Sequence, residues 1–162
     1  MATPKAKAAP SVARALDALV RREPALGMFA SGHARRLYVG GDWAVASIRG
    51  GGDAYAAAFR LVNGRWRADL SRRVKVRVLG PDPGSKADPT PQVAAEIAAS
   101  APLAESGLWV DGEALEVKGG GSPTRGTIYG APASPLRPGT HVAVAYGRTA
   151  RNGTAVAWTF TV

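Results

Sequence analysis

The 162-residue chain has room for one medium-sized domain or two small ones, and it carries 21 Lys and Arg against 12 Asp and Glu. It contains no cysteine, which excludes a disulfide framework and thiolate metal sites, and no apolar run reaches membrane-spanning length. The positive charge is uneven, because residues 1–80 hold 15 basic and 5 acidic side chains whereas residues 81–162 hold 6 and 7. Attraction to an anionic partner is therefore expected to reside in the first half.

The first half predicts one helix packed on an antiparallel sheet. Residues 1–10 are rich in Ala, Lys and Pro and predict a flexible arm. Apolar residues at helical spacing follow Ser11, a suitable N-cap, and the helix is predicted to end at Glu23-Pro24. From residue 35 the apolar residues alternate with period two in the runs LYV, WAVASI and AYAAAFRLV, separated by glycine-rich turns. This pattern is typical of an antiparallel meander.

A two-residue turn at Asn63-Gly64 fixes the register of the next hairpin. The run KVRVL is then predicted to complete a four- or five-stranded sheet, so that residues 11–80 form a basic α+β module. The predicted pairs are Val62 with Arg65, Leu61 with Trp66, Arg60 with Arg67 and Phe59 with Ala68.

The candidate site is a group of basic residues on the polar side of this sheet. Arg60 directly opposite Arg67 costs a few tenths of a kcal/mol unless an anion lies near both. One interpretation is a site for a polyanion or an acidic partner, and the other is an arginine-rich solvated face that reflects a GC-rich genome. Nucleic acid is the less favoured partner, because the aromatic residues of these strands fall on the core face. The candidate residues are Arg60, Arg65, Arg67, Arg72, Arg73, Lys75 and Arg77.

Residues 81–91 are proline-rich and predict a linker between two domains, and residues 92–162 predict a β-sandwich. The segment Gln92–Leu103 fits a short helix by its alanines or a strand by its position, and the strand is favoured. Asp111-Gly112 is a strong hairpin signal.

The last 27 residues predict a β-hairpin with one buried face, in which Asn152-Gly153 supplies a tight turn. Large apolar residues alternate with alanine and threonine on both of its strands. The predicted core of the second module is Leu108, Val110, Leu115, Ile128, Val142, Val144, Tyr146, Val156, Trp158 and Phe160.

The runs LWVDGEAL, PLRPGTHVAVAY and AVAWTFTV resemble the strand pattern of bacterial immunoglobulin-like or fibronectin type III-like sandwiches, over roughly residues 91–162. The resemblance implies a secreted or surface-attached spacer, adhesive or accessory module, with no catalytic residue to transfer. In the first half, the strands with GDWA and GRW faintly resemble small α+β domains of actinobacterial envelope proteins.

Few residues suit catalysis or metal binding. His33 and Ser31 lie two apart in one loop, a spacing that rarely aligns a nucleophile with its base. His141 lacks a neighbouring His or Cys, so a structural hydrogen bond is preferred over a metal ligand. The cluster of Asp111, Glu113 and Glu116 is explained by a turn and by solvated strand positions.

The sequence as a whole predicts a mainly β, non-enzymatic interaction or structural protein of the cell envelope or secreted fraction, without a cofactor. Its expected partner is a protein or an anionic cell-envelope polymer, bound through the basic first half. The alternative is a cytoplasmic protein that binds polyanions or nucleic acid.

Overall fold

The computed structural model describes residues 6–7, 14, 36–50 and 53–162, and within these ranges the chain is mainly β. The strands, in chain order, are β1 (Ala6–Lys7), β2 (Arg36–Gly40), β3 (Trp43–Gly50), β4 (Asp53–Val62), β5 (Arg65–Ala68), β6 (Val74–Gly80), β7 (Val93–Ala99), β8 (Glu105–Val110), β9 (Glu113–Ala114), β10 (Lys118–Ser122), β11 (Arg125–Gly130), β12 (Thr140–Arg148) and β13 (Gly153–Thr161).

The strands form three antiparallel sheets. The N-terminal sheet has the order β1-β2-β3-β4-β5, the outer sheet β10-β11-β7-β6 and the central sheet β13-β12-β8-β9. The predicted helix over residues 11–23 lies outside the described residues, apart from the exposed Arg14. Part of the predicted flexible arm is a strand, because Ala6 pairs with Val39 and Lys7 with Tyr38 in the N-terminal sheet.

The central sheet is buried on both faces. One face packs Leu108, Trp158 and Phe160 against Val93 and Ile97 of the outer sheet. The opposite face packs against the N-terminal sheet in a second cluster. That second cluster consists of Trp109, Val144, Tyr146 and Ala155 with Val45 and Ala58.

The prediction of one buried face for the last hairpin was therefore wrong. In the β12–β13 register, Ala143 lies opposite Trp158, whereas Val144 lies opposite Ala157. Directly paired residues share a face, so Trp158 and Val144 lie on opposite faces of the hairpin, each beside an alanine of the neighbouring strand. Val142, Val144 and Tyr146 thus leave the predicted core and pack towards the N-terminal sheet, while the other predicted core residues pack on the outer-sheet side.

Two predicted turns are confirmed and one was wrong. Asn63 and Asp111 have φ values of 51° and 49°, followed by glycines at positive φ, as two-residue hairpin turns require. The Asn63-Gly64 turn gives the predicted pairs, with Arg60 opposite Arg67. The last hairpin instead closes through residues 149–152, because the Thr149 amide donates to the Asn152 carbonyl over 2.8 Å. The side chain of Thr149 also accepts a hydrogen bond from the Asn152 amide, over 3.0 Å.

The strand KVRVL was assigned to the wrong sheet. It forms β6, which pairs with β7 in the outer sheet instead of extending the N-terminal one. The physical reason is packing against segments distant in sequence, since Val74, Val76 and Val78 lie in the core shared with the central sheet. β7 itself confirms the strand interpretation of the segment Gln92–Leu103.

The proline-rich segment 81–91 was predicted as a linker, but it is hydrogen-bonded along β13. The amides of Gly84 and Ala87 donate to the carbonyls of Thr159 and Thr161, over 2.7 and 2.8 Å. The Thr161 amide in turn donates to Ser85. A covered edge strand cannot recruit a foreign strand, so the segment protects this side of the sandwich.

Alanines and one carboxylate join the N-terminal and central sheets. Ala56 and Ala58 of β4 face Ala155 and Ala157 of β13. The carboxylate of Asp69, which follows β5, accepts hydrogen bonds from the Gly153 amide over 2.8 Å and from the Asn152 side chain over 3.1 Å. Burial alone would raise the pKa of Asp69, but these bonds and those from Ser71 outweigh it and lower the pKa below 3.8.

Candidate anion-binding face

The structure divides the seven predicted site residues among three places. Arg60, Arg65 and Arg67 lie on the β4–β5 hairpin, and Arg72 and Arg73 lie in the exposed connection to the outer sheet. Lys75 and Arg77 point outward from β6. The predicted set is therefore not one continuous sheet face, because β6 belongs to a different sheet from β4 and β5.

Arg60 makes contacts where the N-terminal and central sheets pack together. Its guanidinium carbon lies 5.7 Å from the ring centre of Trp43, and its Nη1 donates to the Arg151 carbonyl over 3.2 Å. A cation above a tryptophan ring is attracted by the negative face of the ring. These contacts offset the repulsion from Arg67 without any bound anion, so Arg60 has a structural role.

Arg60 and Arg67 are expected to respond oppositely to substitution. Arg60→Thr should lower the free energy of unfolding by about 1–2 kcal/mol, because both the ring contact and the hydrogen bond to Arg151 are lost. Arg67→Thr should raise it by a few tenths of a kcal/mol, because a like-charge pair disappears and threonine suits a strand. Urea unfolding of the two variants measures the difference. Equal effects would contradict the structural role of Arg60.

The exposed side of the outer sheet brings basic residues together from three of its strands, β6, β10 and β11. Across the sheet, Lys75 lies opposite Ala98, which lies opposite Arg125, and Arg77 lies opposite Glu96. On the far strand β10, Lys118 is paired with Tyr129 of β11. We call this surface the basic face, and its charged residues are Lys75, Arg77, Lys118, Arg125 and Glu96.

Glu96 holds two arginines near the middle of the basic face. Its Oε1 lies 3.4 Å from Arg77 Nη2 and its Oε2 lies 3.9 Å from Arg125 Nη1. The two arginine side chains remain 69% and 66% exposed, against 23% for Glu96. Because both arginine side chains are largely exposed, their guanidinium groups remain accessible to an anionic ligand. Ion pairs at such exposed positions contribute little to stability.

The floor of the basic face is made of small side chains. Ala94, Ala98, Thr127 and Gly120 occupy its outward positions between the charged residues. Because neighbouring strands are about 4.8 Å apart, these small side chains leave a floor several strands wide between the charged residues. An extended polymer can lie on this surface and contact the exposed guanidinium groups of Arg77 and Arg125.

Lys118 and Arg125 were missed by the sequence analysis. They belong to the half of the chain that is nearly neutral, and the pairing of β11 with β7 places Arg125 opposite Ala98, far away in sequence. The available signal was the alternation of Arg125, Thr127 and Tyr129 around the buried Ile128. Without the strand order, that alternation does not identify the neighbouring strand.

A groove of about 450 Å³ lies at one end of the sandwich, beside His141. His141 Nδ1 is 2.6 Å from Asp111 Oδ2, and its Nε2 is 2.7 Å from the Arg137 carbonyl oxygen. Asp111 also accepts a hydrogen bond from the Val142 amide over 3.0 Å. The structural hydrogen bond predicted for His141 is thus observed. It ties the β8–β9 turn to the segment before β12.

Both ring nitrogens of His141 face oxygen acceptors, so the doubly protonated imidazolium satisfies both and the neutral ring only one. Burial alone would lower the pKa of His141, but the hydrogen bonds to Asp111 and Arg137, with the charge of Asp111, raise it above 6.5.

We expect the free energy of unfolding to be highest below pH 6.5 and to fall as the pH rises through the raised pKa of His141. The reason is that the folded protein holds the His141 proton more tightly than the unfolded chain does. Chemical unfolding between pH 5 and pH 9 measures this trend. His141→Phe keeps a ring beside Phe160, so this variant should lose the trend, and its persistence would assign it to other groups.

The acidic residues near the groove do not assemble a metal site. Glu113 and Glu116 line the groove with Asp111, but no group of three or more His, Asp or Glu within the described ranges could hold a metal ion. Ser31 and His33 lie outside the described residues.

No protein-family model matches the chain, and no curated protein is significantly similar to it. In the part of the chain that the structure describes, no helix has the length and apolar character needed to cross a membrane.

Proposed function

We propose that this chain is a non-enzymatic interaction module of the cell envelope or secreted fraction, which binds an anionic polymer through the basic face. The observation that carries the proposal is the gathering of Lys75, Arg77, Lys118 and Arg125 on one exposed sheet, in whose described strands Glu96 is the one acidic residue. Their charges, with that of Glu96, sum to about three positive units over a floor of small side chains. A surface of this kind attracts polymers that carry many phosphates, sulfates or carboxylates.

The strand order supports an immunoglobulin-like sandwich formed by the outer and central sheets, which begins with β6. If β6, β7 and β8 are named A, B and C, and β10 to β13 are named D to G, the outer sheet reads A-B-E-D and the central sheet G-F-C. These are the two sheets of immunoglobulin constant-type domains. Modules of this architecture commonly serve as spacers or adhesive units.

His141 adds a second similarity to that architecture. It is the second residue of strand F and bonds through Nε2 to the Arg137 carbonyl, four residues upstream. Immunoglobulin domains place a tyrosine there, whose hydroxyl bonds back to the upstream backbone. Ala143, two residues further on, is fully buried where those domains carry a cysteine.

The binding proposal is tested by retention on immobilised heparin and inorganic polyphosphate over a series of salt concentrations. Retention should weaken linearly on a log–log scale. The variant Lys75→Gln/Arg77→Gln/Arg125→Gln should lower the slope by about two to three units, because three contacts with anions are removed.

A matched control removes the same charge elsewhere. The variant Arg65→Gln/Arg67→Gln/Arg137→Gln also loses three positive charges, but its residues lie outside the basic face. It should keep most of the wild-type slope, and Glu96→Gln should bind more tightly than wild type. If the control loses as much as the basic-face variant, binding depends on net charge alone and the proposed site is wrong.

A further inference from the structure

Tyr129 is the one aromatic residue on the outward side of the outer sheet, all of whose residues the structure describes. It is 37% exposed, whereas the Trp, Tyr and Phe residues of the central sheet are buried. Those buried residues are Trp109, Tyr146, Trp158 and Phe160.

The neighbours of Tyr129 leave its ring accessible from the basic face. Its cross-strand partners are Ala94 on one side and Lys118 on the other. Ala94 is too small to cover a phenol ring, and Leu79, which also points outward, is 40% exposed. The basic face therefore combines cations with one aromatic and one aliphatic side chain that are each more than a third exposed.

This combination distinguishes between anionic polymers. A polyphosphate chain offers charge but no apolar surface. An acidic polysaccharide offers carboxylates or sulfates together with the C–H face of each sugar ring, which packs on an aromatic side chain. A single nucleic acid strand offers stacking bases, but platforms for it use successive aromatic residues, and this face has only one among its described residues.

We propose that the ligand of the basic face is an acidic polysaccharide, with Tyr129 as the side chain on which a sugar ring packs. This inference rests on the proposed function, since the basic residues supply the charge and Tyr129 the selectivity. Lys118, paired with Tyr129, is placed to meet the acidic group of the same or the next sugar.

The test compares Tyr129→Thr and Tyr129→Phe with wild type on three probes, which are heparin, inorganic polyphosphate and oligothymidylate. Threonine suits an exposed strand position, so the fold should persist, and a thermal melt checks this. Tyr129→Thr should bind heparin about tenfold more weakly, as expected when an aromatic packing contact is lost, and polyphosphate within about twofold of wild type. Tyr129→Phe should bind heparin nearly as well as wild type.

The outcomes separate this inference from the proposed function. Equal affinity of Tyr129→Thr and wild type for heparin would contradict the proposal that the ligand is an acidic polysaccharide. Equal losses of affinity for heparin and for polyphosphate would contradict it as well. A loss confined to oligothymidylate would replace the polysaccharide with a nucleic acid strand. If wild type binds none of the three probes, the proposed function itself fails. That failure is distinct, because it does not depend on Tyr129.

Discussion

Replacing Trp158 by alanine is expected to lower the free energy of unfolding by about 3–5 kcal/mol, the usual cost of truncating a buried large aromatic side chain. Trp158 is 4% exposed and belongs to the core between the central and outer sheets. Its cross-strand partner is Ala143, which is too small to fill the space that the indole would leave. Urea unfolding measures the loss.

Trp66 provides the control for Trp158. It lies on β5, opposite Leu61, and is only partly buried. Trp66→Ala should cost less than half as much as Trp158→Ala, because less apolar surface is removed from a packed environment. If Trp158→Ala costs less than about 1 kcal/mol, the sandwich core is not where the structure places it.

The turns of this chain could be predicted from the sequence because their chemistry is local. Asn63-Gly64 and Asp111-Gly112 adopt the left-handed backbone that few other residue pairs tolerate, and each fixes the pairing of its hairpin. The strand β7 was favoured for a different reason, its position before the predicted sandwich. In the structure its residues Val93, Ala95 and Ile97 are buried and alternate with more exposed ones.

The layers could not be predicted, because they depend on contacts between segments distant in sequence. The alternation in β12 and β13 is the same whether one face is buried or both. Alanine on the second face was taken as a sign of exposure, whereas Ala155 and Ala157 face the alanines of β4. The candidate site could be predicted only in part for the same reason. Lys75 and Arg77 were predicted, but Lys118 and Arg125 on the same face come from strands about 40 or more residues later in the chain.

Trp43 is expected to be the main side chain that joins the N-terminal and central sheets. It is 3% exposed, and the guanidinium carbons of Arg60 and Arg148 lie 5.7 and 5.4 Å from its ring centre. Arg148 is held in place by Glu105, because the Nε of Arg148 donates a hydrogen bond to the Glu105 carboxylate over 2.7 Å. The ring also packs on Gly153, where an added Cβ would lie 2.7 Å from it.

Trp43→Ala should therefore lower the free energy of unfolding by about 3–5 kcal/mol. The loss combines the buried indole with two cation contacts, of which the one from Arg148 crosses between the two sheets. Hydrogen exchange should show the greatest loss of protection in β3 and β4, with a smaller change in β7 and β11, which pair in the outer sheet.

A double-mutant cycle with Gly153 tests the contact itself. Gly153→Ala alone should cost about 1–3 kcal/mol, because the new methyl group collides with the ring of Trp43. In a Trp43→Ala background the same substitution should cost much less, because the indole ring is no longer there to collide with the methyl group. The losses in free energy of unfolding of the two single variants should therefore sum to at least about 1 kcal/mol more than the loss of the double variant. Additive losses would show that Trp43 does not pack on Gly153. The contact between the N-terminal and central sheets would then depend on the packed alanines of β4 and β13 and on the hydrogen bonds of Asp69.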